Sequence, residues 1–251
     1  MLKPFCFKGI ERNPFWGEIV AMYQPKVDTR NRLISGYEAL TRFKGENGTL
    51  TYPEPRVSLL SANEHMDLFV VMLFQTLNAL TLTRSNNRLL DFSINVPPKI
   101  VHERYFNEIV LSIPAEKRKH IKFELLEHHI NDFDLLYKSM HKLNKNGFGF
   151  YLDDFGSENY PINVIELPGI ETLKFDKLML PRGTPEESSG ANNKLRLWAT
   201  WAHKNGKSTV MEQVETEVEF QRVAGVVRYV QGYFTGKPQL LFQQELIRYE
   251  F

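Results

Sequence analysis

Acidic and amide side chains in this chain fall where an ordinary core would place apolar ones. Glu38, Asn95, Glu124, Glu127, Asp153, Asp154, Lys174, Asp176, Glu212 and Gln231 lie within or at the ends of runs rich in β-branched and aromatic residues. Such runs read as strands, and strand interiors are poor hosts for ionised groups because an unpaired buried charge is costly. Any one of these acids, taken singly, is most simply a strand-end residue that is solvated or paired with a surface base. The whole set resists that reading, since nearly every late strand would need its own excuse. Carboxylates brought close repel one another strongly, and divalent cations are the usual remedy. An all-oxygen set of Glu, Asp and Asn suits Mg²⁺ or Mn²⁺ rather than zinc. Asp153-Asp154 is the sharpest local feature. Neighbours on a strand point to opposite faces, so both serve one site only where the strand ends and the backbone turns. Gly156 supplies that freedom. Alone, the same residues are equally well a polar loop entry.

The elements that must position these groups are legible as an alternation. Eight segments read as strands: Gly17–Asp28, Leu33–Phe43, Leu89–Val96, Ile121–Leu126, Gly147–Asp153, Glu171–Asp176, Ser208–Glu212 and Tyr229–Tyr233. Only Thr29-Arg30-Asn31-Arg32 separates the first two, too little for a helical crossover, so they are expected to pair antiparallel. Helical periodicity occupies Glu64–Arg84, Arg104–Ile113, Asn131–Lys145, Asn193–Asn205 and Glu215–Val223, with a last amphipathic helix near Gln239–Tyr249. Pro161 and Pro168 limit any helix between them to a short one, and the polar stretch Pro181 to Asn193 reads as a loop. Strand–helix alternation implies a mainly parallel sheet covered by helices. The expected fold is therefore α/β, a (β/α)8 TIM-like barrel with an antiparallel first strand, and a doubly wound open sheet is the competitor. In a barrel the carboxyl ends of the strands converge on one mouth, where residues distant in sequence meet.

Bulk composition narrows the class of function. The chain has 251 residues, 31 Lys and Arg against 30 Asp and Glu, and a formal charge of +1. That balance offers no footprint for duplex nucleic acid or an anionic membrane surface. Cys6 is the one cysteine, which excludes an intrachain disulfide or a cysteine-based zinc cluster and fits a reducing compartment. The seven histidines, His128-His129 included, follow no ligand spacing. The longest apolar run, Leu68 to Phe74, is too short to span a bilayer. A cytoplasmic protein without membrane insertion is expected.

With these residues in place, the sequence resembles the EAL-domain cyclic di-GMP phosphodiesterases over nearly its whole length. Tyr23-Gln24-Pro25-Lys26-Val27-Asp28 is similar to their opening strand, and Glu38-Ala39-Leu40, followed by Arg42, is the name-giving motif. Ser93-Ile94-Asn95-Val96, Phe123-Glu124-Leu125-Leu126-Glu127, Asp153-Asp154-Phe155-Gly156, Leu173-Lys174-Phe175-Asp176, Glu212-Gln213-Val214-Glu215 and Gln231-Gly232-Tyr233 follow in the family's order. Each motif is weak alone; eight in order are specific.

The resemblance implies a stand-alone bacterial phosphodiesterase that cuts cyclic di-GMP to 5′-pGpG in biofilm and motility signalling. It implies residues 1–15 as an N-terminal extension and 16–251 as the EAL domain, a homodimer, and two divalent cations, Mg²⁺ or Mn²⁺. Glu38, Asn95, Glu124 and Asp153 would hold one ion, and Asp153, Asp154 and Glu212 the second. Lys174 would position or deprotonate the attacking water. Gln24, Arg42, Asp176 and Gln231 would meet substrate, and Glu127 and Glu215 would position loops. Ser157, Glu158 and Gln213 depart from the family pattern, which usually has Thr, Gly and Gly there, and bear on rate and regulation rather than on the reaction. The alternatives are a catalytically weak EAL-like module that binds cyclic di-GMP or a protein, and an unrelated barrel enzyme acting on other phosphate esters.

Overall fold

The structure, a computed structural model, describes residues 12–13, 17–54, 57–85, 88–126, 130, 132–157, 162–181 and 189–241. Eight strands close into a ring: β1 Gly17–Asp28, β2 Ile34–Lys44, β3 Asp91–Val96, β4 Ile121–Leu125, β5 Gly149–Phe155, β6 Ile170–Phe175, β7 Ser208–Met211 and β8 Tyr229–Gln231. From β2 to β8 each strand is parallel to the next, whereas β1 is antiparallel to both β2 and β8. The closed barrel with an antiparallel first strand is thus the observed fold, and the open-sheet alternative falls. The β1–β2 link is short enough to force that direction: Asp28 N donates to Leu33 O at 2.9 Å, and Arg32 takes φ 57° at the corner. Arg12–Asn13, from the expected N-terminal extension, pair antiparallel with the start of β1.

Helices α1 Ala62–Leu82, α2 Pro98–Val101, α3 Arg104–Leu111, α4 Ala115–Arg118, α5 Phe133–Lys145, α6 Ser189–Lys204 and α7 Glu217–Val223 accompany the barrel. Ser61 starts α1 with a capping box, its hydroxyl accepting from Glu64 N while the Glu64 carboxylate accepts from Ser61 N, which satisfies two donors left open by the first turn. The same device starts α7 at Thr216 and Glu219. The stretch read as a loop is corrected: α6 begins at Ser189, inside it. Its Ser-Gly-Ala-Asn-Asn opening has weak helical propensity, but Leu195, Ala199 and Ala202 are buried further along, and burial of a stripe overrides propensity. The final helix expected over 239–249 lies beyond residue 241 for most of its length, outside the described residues; Gln239 itself bridges to Tyr23 in an antiparallel pair.

Sequence alternation decides what faces each way. Outward residues of the strands meet the helices in an aromatic layer. Phe123 on β4 contacts Phe69 of α1, Phe106 of α3, Phe148 and Phe150, at ring-centroid distances of 5.3–5.9 Å. Among the described residues α1 is long and apolar enough to cross a membrane by length and composition, more than its short apolar run suggested, and 61% of that apolar window is buried inside the fold. Inward residues are largely polar, so the barrel interior is not a second apolar core. Replacing Phe123 with Ala removes the central ring of the outer layer without touching the interior. We expect a loss of about 3–5 kcal/mol in chemical denaturation; a loss under about 1 kcal/mol would contradict the assignment.

Candidate functional site

Neighbouring strands set inward side chains at matching heights, because the ladder registers align them. Gln24 pairs with Glu38 across β1–β2, and Asn95 with Glu124 across β3–β4. Glu38, Glu124, Asp153 and Glu212, contributed by β2, β4, β5 and the residue after β7, converge on the ammonium of Lys174 from β6. Its Nζ lies 3.2 Å from Glu38 Oε2, 2.6 Å from Asp153 Oδ1 and 2.9 Å from Glu212 Oε1, and it also pairs with Glu124 Oε2. Asn95 donates to Glu38 Oε1 at 2.8 Å and Gln231 to Glu38 Oε2 at 2.6 Å, so both oxygens of Glu38 are engaged. Asp154 takes φ 49°, so the backbone turns where the strand ends, as two adjacent acids at one site require. Gly156 follows at φ 101°, where a Cβ would lie 2.1 Å from Met179 Sδ. A Cβ at Gly232, just after Gln231, would lie 2.1 Å from Val214 O, so only glycine lets these two loops touch.

Burial and charge act together on these groups. Burial first, and then the Glu124 charge, pushes the Glu38 carboxyl up to about 7. Burial likewise raises Asp153 to about 6, against the pull of Lys174, and raises Glu212 well above the ordinary carboxylate range. The Asp154 charge adds to the rise at both Asp153 and Glu212. Glu124 goes the other way: burial opposes its charge, but Lys174 and Lys26 outweigh burial and hold it at about 2. For Lys174 burial again opposes charge, and the surrounding carboxylates more than compensate, raising it well above the usual lysine value.

The remaining expected residues are placed less uniformly. Gln24 donates to Gly236 O at 3.1 Å and accepts from Gln231 at 3.3 Å, so its amide is engaged within the protein. Arg42 stands four residues beyond Glu38 on β2, roughly 13 Å along the strand, with its guanidinium 4.4 Å from the Tyr52 ring centroid. Tyr52 and Tyr233 are exposed beside it, at 65% and 51%. Asp176 directs one oxygen to Leu178 N at 2.6 Å, capping the turn that follows β6; the ion pairs of Lys174 are with the other four acids. Glu215 is exposed, and its backbone N–H donates to Glu219. Gln213 adopts φ 52°, a region that favours glycine, at a position where the family pattern has one. Ser157 N donates to Asp154 O at 3.1 Å, closing the turn. Glu127 and Glu158 lie outside the described residues.

Lys26, Ser93 and Tyr151 form the floor beneath the carboxylates and received no role from sequence reasoning. The signal was present. Lys26 is two residues from Gln24 and Ser93 two from Asn95, so each shares the inward face of its neighbour.

The EAL domain family model matches residues 11–238. A probable cyclic di-GMP phosphodiesterase of Escherichia coli K12, PdeG, is 26% identical over 236 residues, covering 88% of this chain and 45% of that protein. This chain therefore spans under half of that relative's length. An EAL domain protein of Listeria monocytogenes superposes with a TM-score of 0.74 at 22% identity, over 88% of both chains. The Bacillus subtilis YkuI protein, solved with cyclic di-GMP and calcium, superposes at 0.76 with 20% identity, over 94% of this chain and 57% of that one.

Three carboxyls raised by burial have a thermodynamic consequence. An acid whose folded pKa exceeds its unfolded value stabilises below the unfolded value, and that stability is lost as pH rises through the folded one. For Glu38 the window runs from 4.5 to about 7, and for Asp153 from 3.8 to about 6. Glu124, lowered to about 2, acts oppositely and only below 4.5. In chelator-containing buffer the melting temperature is expected to fall between those limits as pH rises. Glu38→Gln should flatten the profile; a wild-type profile that climbs toward neutrality would contradict this account.

Proposed function

Because this chain belongs to the EAL domain family, we propose that it is a divalent-cation-dependent phosphodiesterase hydrolysing cyclic di-GMP to linear 5′-pGpG. The observation that carries the reading is the gathering of Glu38, Glu124, Asp153 and Glu212, from four parts of the barrel, around a single cation. The named substrate of the Escherichia coli relative and the ligands of the Bacillus subtilis structure support the choice of substrate and of a divalent ion.

Residue chemistry fits such ions. The donors are hard oxygens throughout, and Asn95 Oδ1 is buried with no hydrogen-bond partner, an acceptor left for a cation. Among the described residues no three acidic or imidazole groups already stand as a chelate; the carboxylates are drawn onto the Lys174 ammonium. Glu38, Asn95, Glu124 and Asp153 would hold one ion, and Asp153, Asp154 and Glu212 the other. A bound pair supplies charge neutralisation for the phosphodiester and a water of lowered pKa for in-line attack.

The chain's own residues account for the rest. Lys174, in contact with all four carboxylates, would position the attacking water and the phosphate oxygens in line. Gln231 Oε1 is buried without a protein partner and offers an acceptor to substrate, while Gln24 orients the Gln231 amide. Arg42 at the rim presents a guanidinium suited to a phosphate.

Incubation of the purified protein with cyclic di-GMP and Mg²⁺ or Mn²⁺, followed by chromatography, tests the reading. Linear dinucleotide is expected, with activity abolished by EDTA and lowered at least about 100-fold by Glu38→Ala. Intact cyclic dinucleotide after prolonged incubation, still retained by the protein, would assign a binding module instead.

A further inference from the structure

A second ammonium lies inside the barrel, one layer below the first. Lys26, on β1, is 3% exposed. Its Nζ donates to Ser93 Oγ and to Glu124 Oε1, the latter at 3.3 Å, and stands 4.7 Å from the centroid of the Tyr151 ring. The Ser93 hydroxyl donates to Tyr37 O at 3.4 Å, and its oxygen accepts from Lys26. Glu124 is fully buried. Its Oε1 is held by Lys26 from β1 and its Oε2 by Lys174 from β6, so two cations on different walls fix the plane of one carboxylate.

Packing does not explain an ammonium at this place. A buried charge pair is weak evidence of stabilisation, because apolar residues that replace the whole pair are often as stable or more so. The Tyr151 ring face and the Ser93 hydroxyl instead form a cradle shaped for a cation. What the ammonium accomplishes is orientation. With Oε1 anchored below, Oε2 is presented upward, to the point where Glu38, Asp153 and Glu212 also arrive.

We propose that Lys26 is a positioning residue for the cation site, anchoring Glu124 by one oxygen so that the other faces the ion. Ser93 and Tyr151 hold Lys26 in turn. The inference rests on the divalent-ion reading above and adds to it a residue that touches neither ion nor substrate. Partners that orient a ligand in this way are commonly worth 10–100-fold in metal affinity.

Calorimetric titration of the metal-free protein with Mn²⁺, without substrate, tests the proposal. Lys26→Met keeps the length and removes the charge; Mn²⁺ is expected to bind about 10–100-fold more weakly, with turnover recovering as Mn²⁺ is raised. The melting temperature of the metal-free variant is expected to fall, since one partner of a buried pair is gone; a merely structural role would stop there and leave Mn²⁺ affinity in the folded variant unchanged. Mn²⁺ affinity within twofold of wild type in a folded Lys26→Met protein would overturn the proposal. Should that variant not fold, Ser93→Ala decides: removing one hydrogen bond from Lys26 is expected to weaken Mn²⁺ about fivefold, and an unchanged affinity would overturn it equally. Wild-type protein that binds no Mn²⁺ at all would sink the metal reading itself, and this inference with it.

Discussion

Everything in the barrel interior depends on confining like charges. Four carboxylates reach one point, and their mutual repulsion in a water-poor cavity would separate them without a cation at the centre. Lys174 is that cation in the described fold, 1% exposed and paired with all four. The opposed shifts of Glu38 and Glu124 follow from how the positive charge is shared. Glu124 contacts two ammonium groups and stays ionised, whereas Glu38 has amide donors and a more distant share of Lys174. A cavity holding several raised carboxyls around one base is the arrangement that active sites use, because each group changes its charge readily when a ligand enters.

The barrel makes this confinement possible by sorting residues across the sheet. Outward positions carry Phe92, Phe123, Phe150 and Phe175, all buried against neighbouring elements. Inward positions carry Lys26, Glu38, Ser93, Glu124, Asp153 and Lys174. The apolar layer between barrel and helices supplies the hydrophobic stabilisation, which frees the interior for polar groups that contribute function rather than stability. The antiparallel β1 matters to this plan. Running against its neighbours, it delivers Gln24 and Lys26 to the mouth and the floor from the opposite chain direction, and closes the ring between β2 and β8.

At the mouth the chemistry changes character. Beyond the acids, the buried guanidinium of Arg42 lies against the exposed Tyr52 ring, with the exposed Tyr233 nearby. A guanidinium among aromatic rings suits a ligand that joins phosphate to flat rings.

Much of this was legible in the order of residues. Strand periodicity located all eight barrel strands to within about two residues, the four-residue Thr29–Arg32 link fixed the antiparallel first strand, and the acids at strand ends marked one mouth. These features are local, and local sterics and period write them into sequence. Partnership is different. Which carboxylates Lys174 meets, that Gln24 is engaged by Gln231 and Gly236, and that Lys26 reaches under Glu124 join positions 21 to 212 residues apart. Such distances are set only when the ring closes and the registers lock, since a one-residue slip would turn each inward group outward. Sequence alone therefore determined which groups enter the cavity. Tertiary structure decided which of them touch, because contact across a barrel is a property of its closure and not of any single strand.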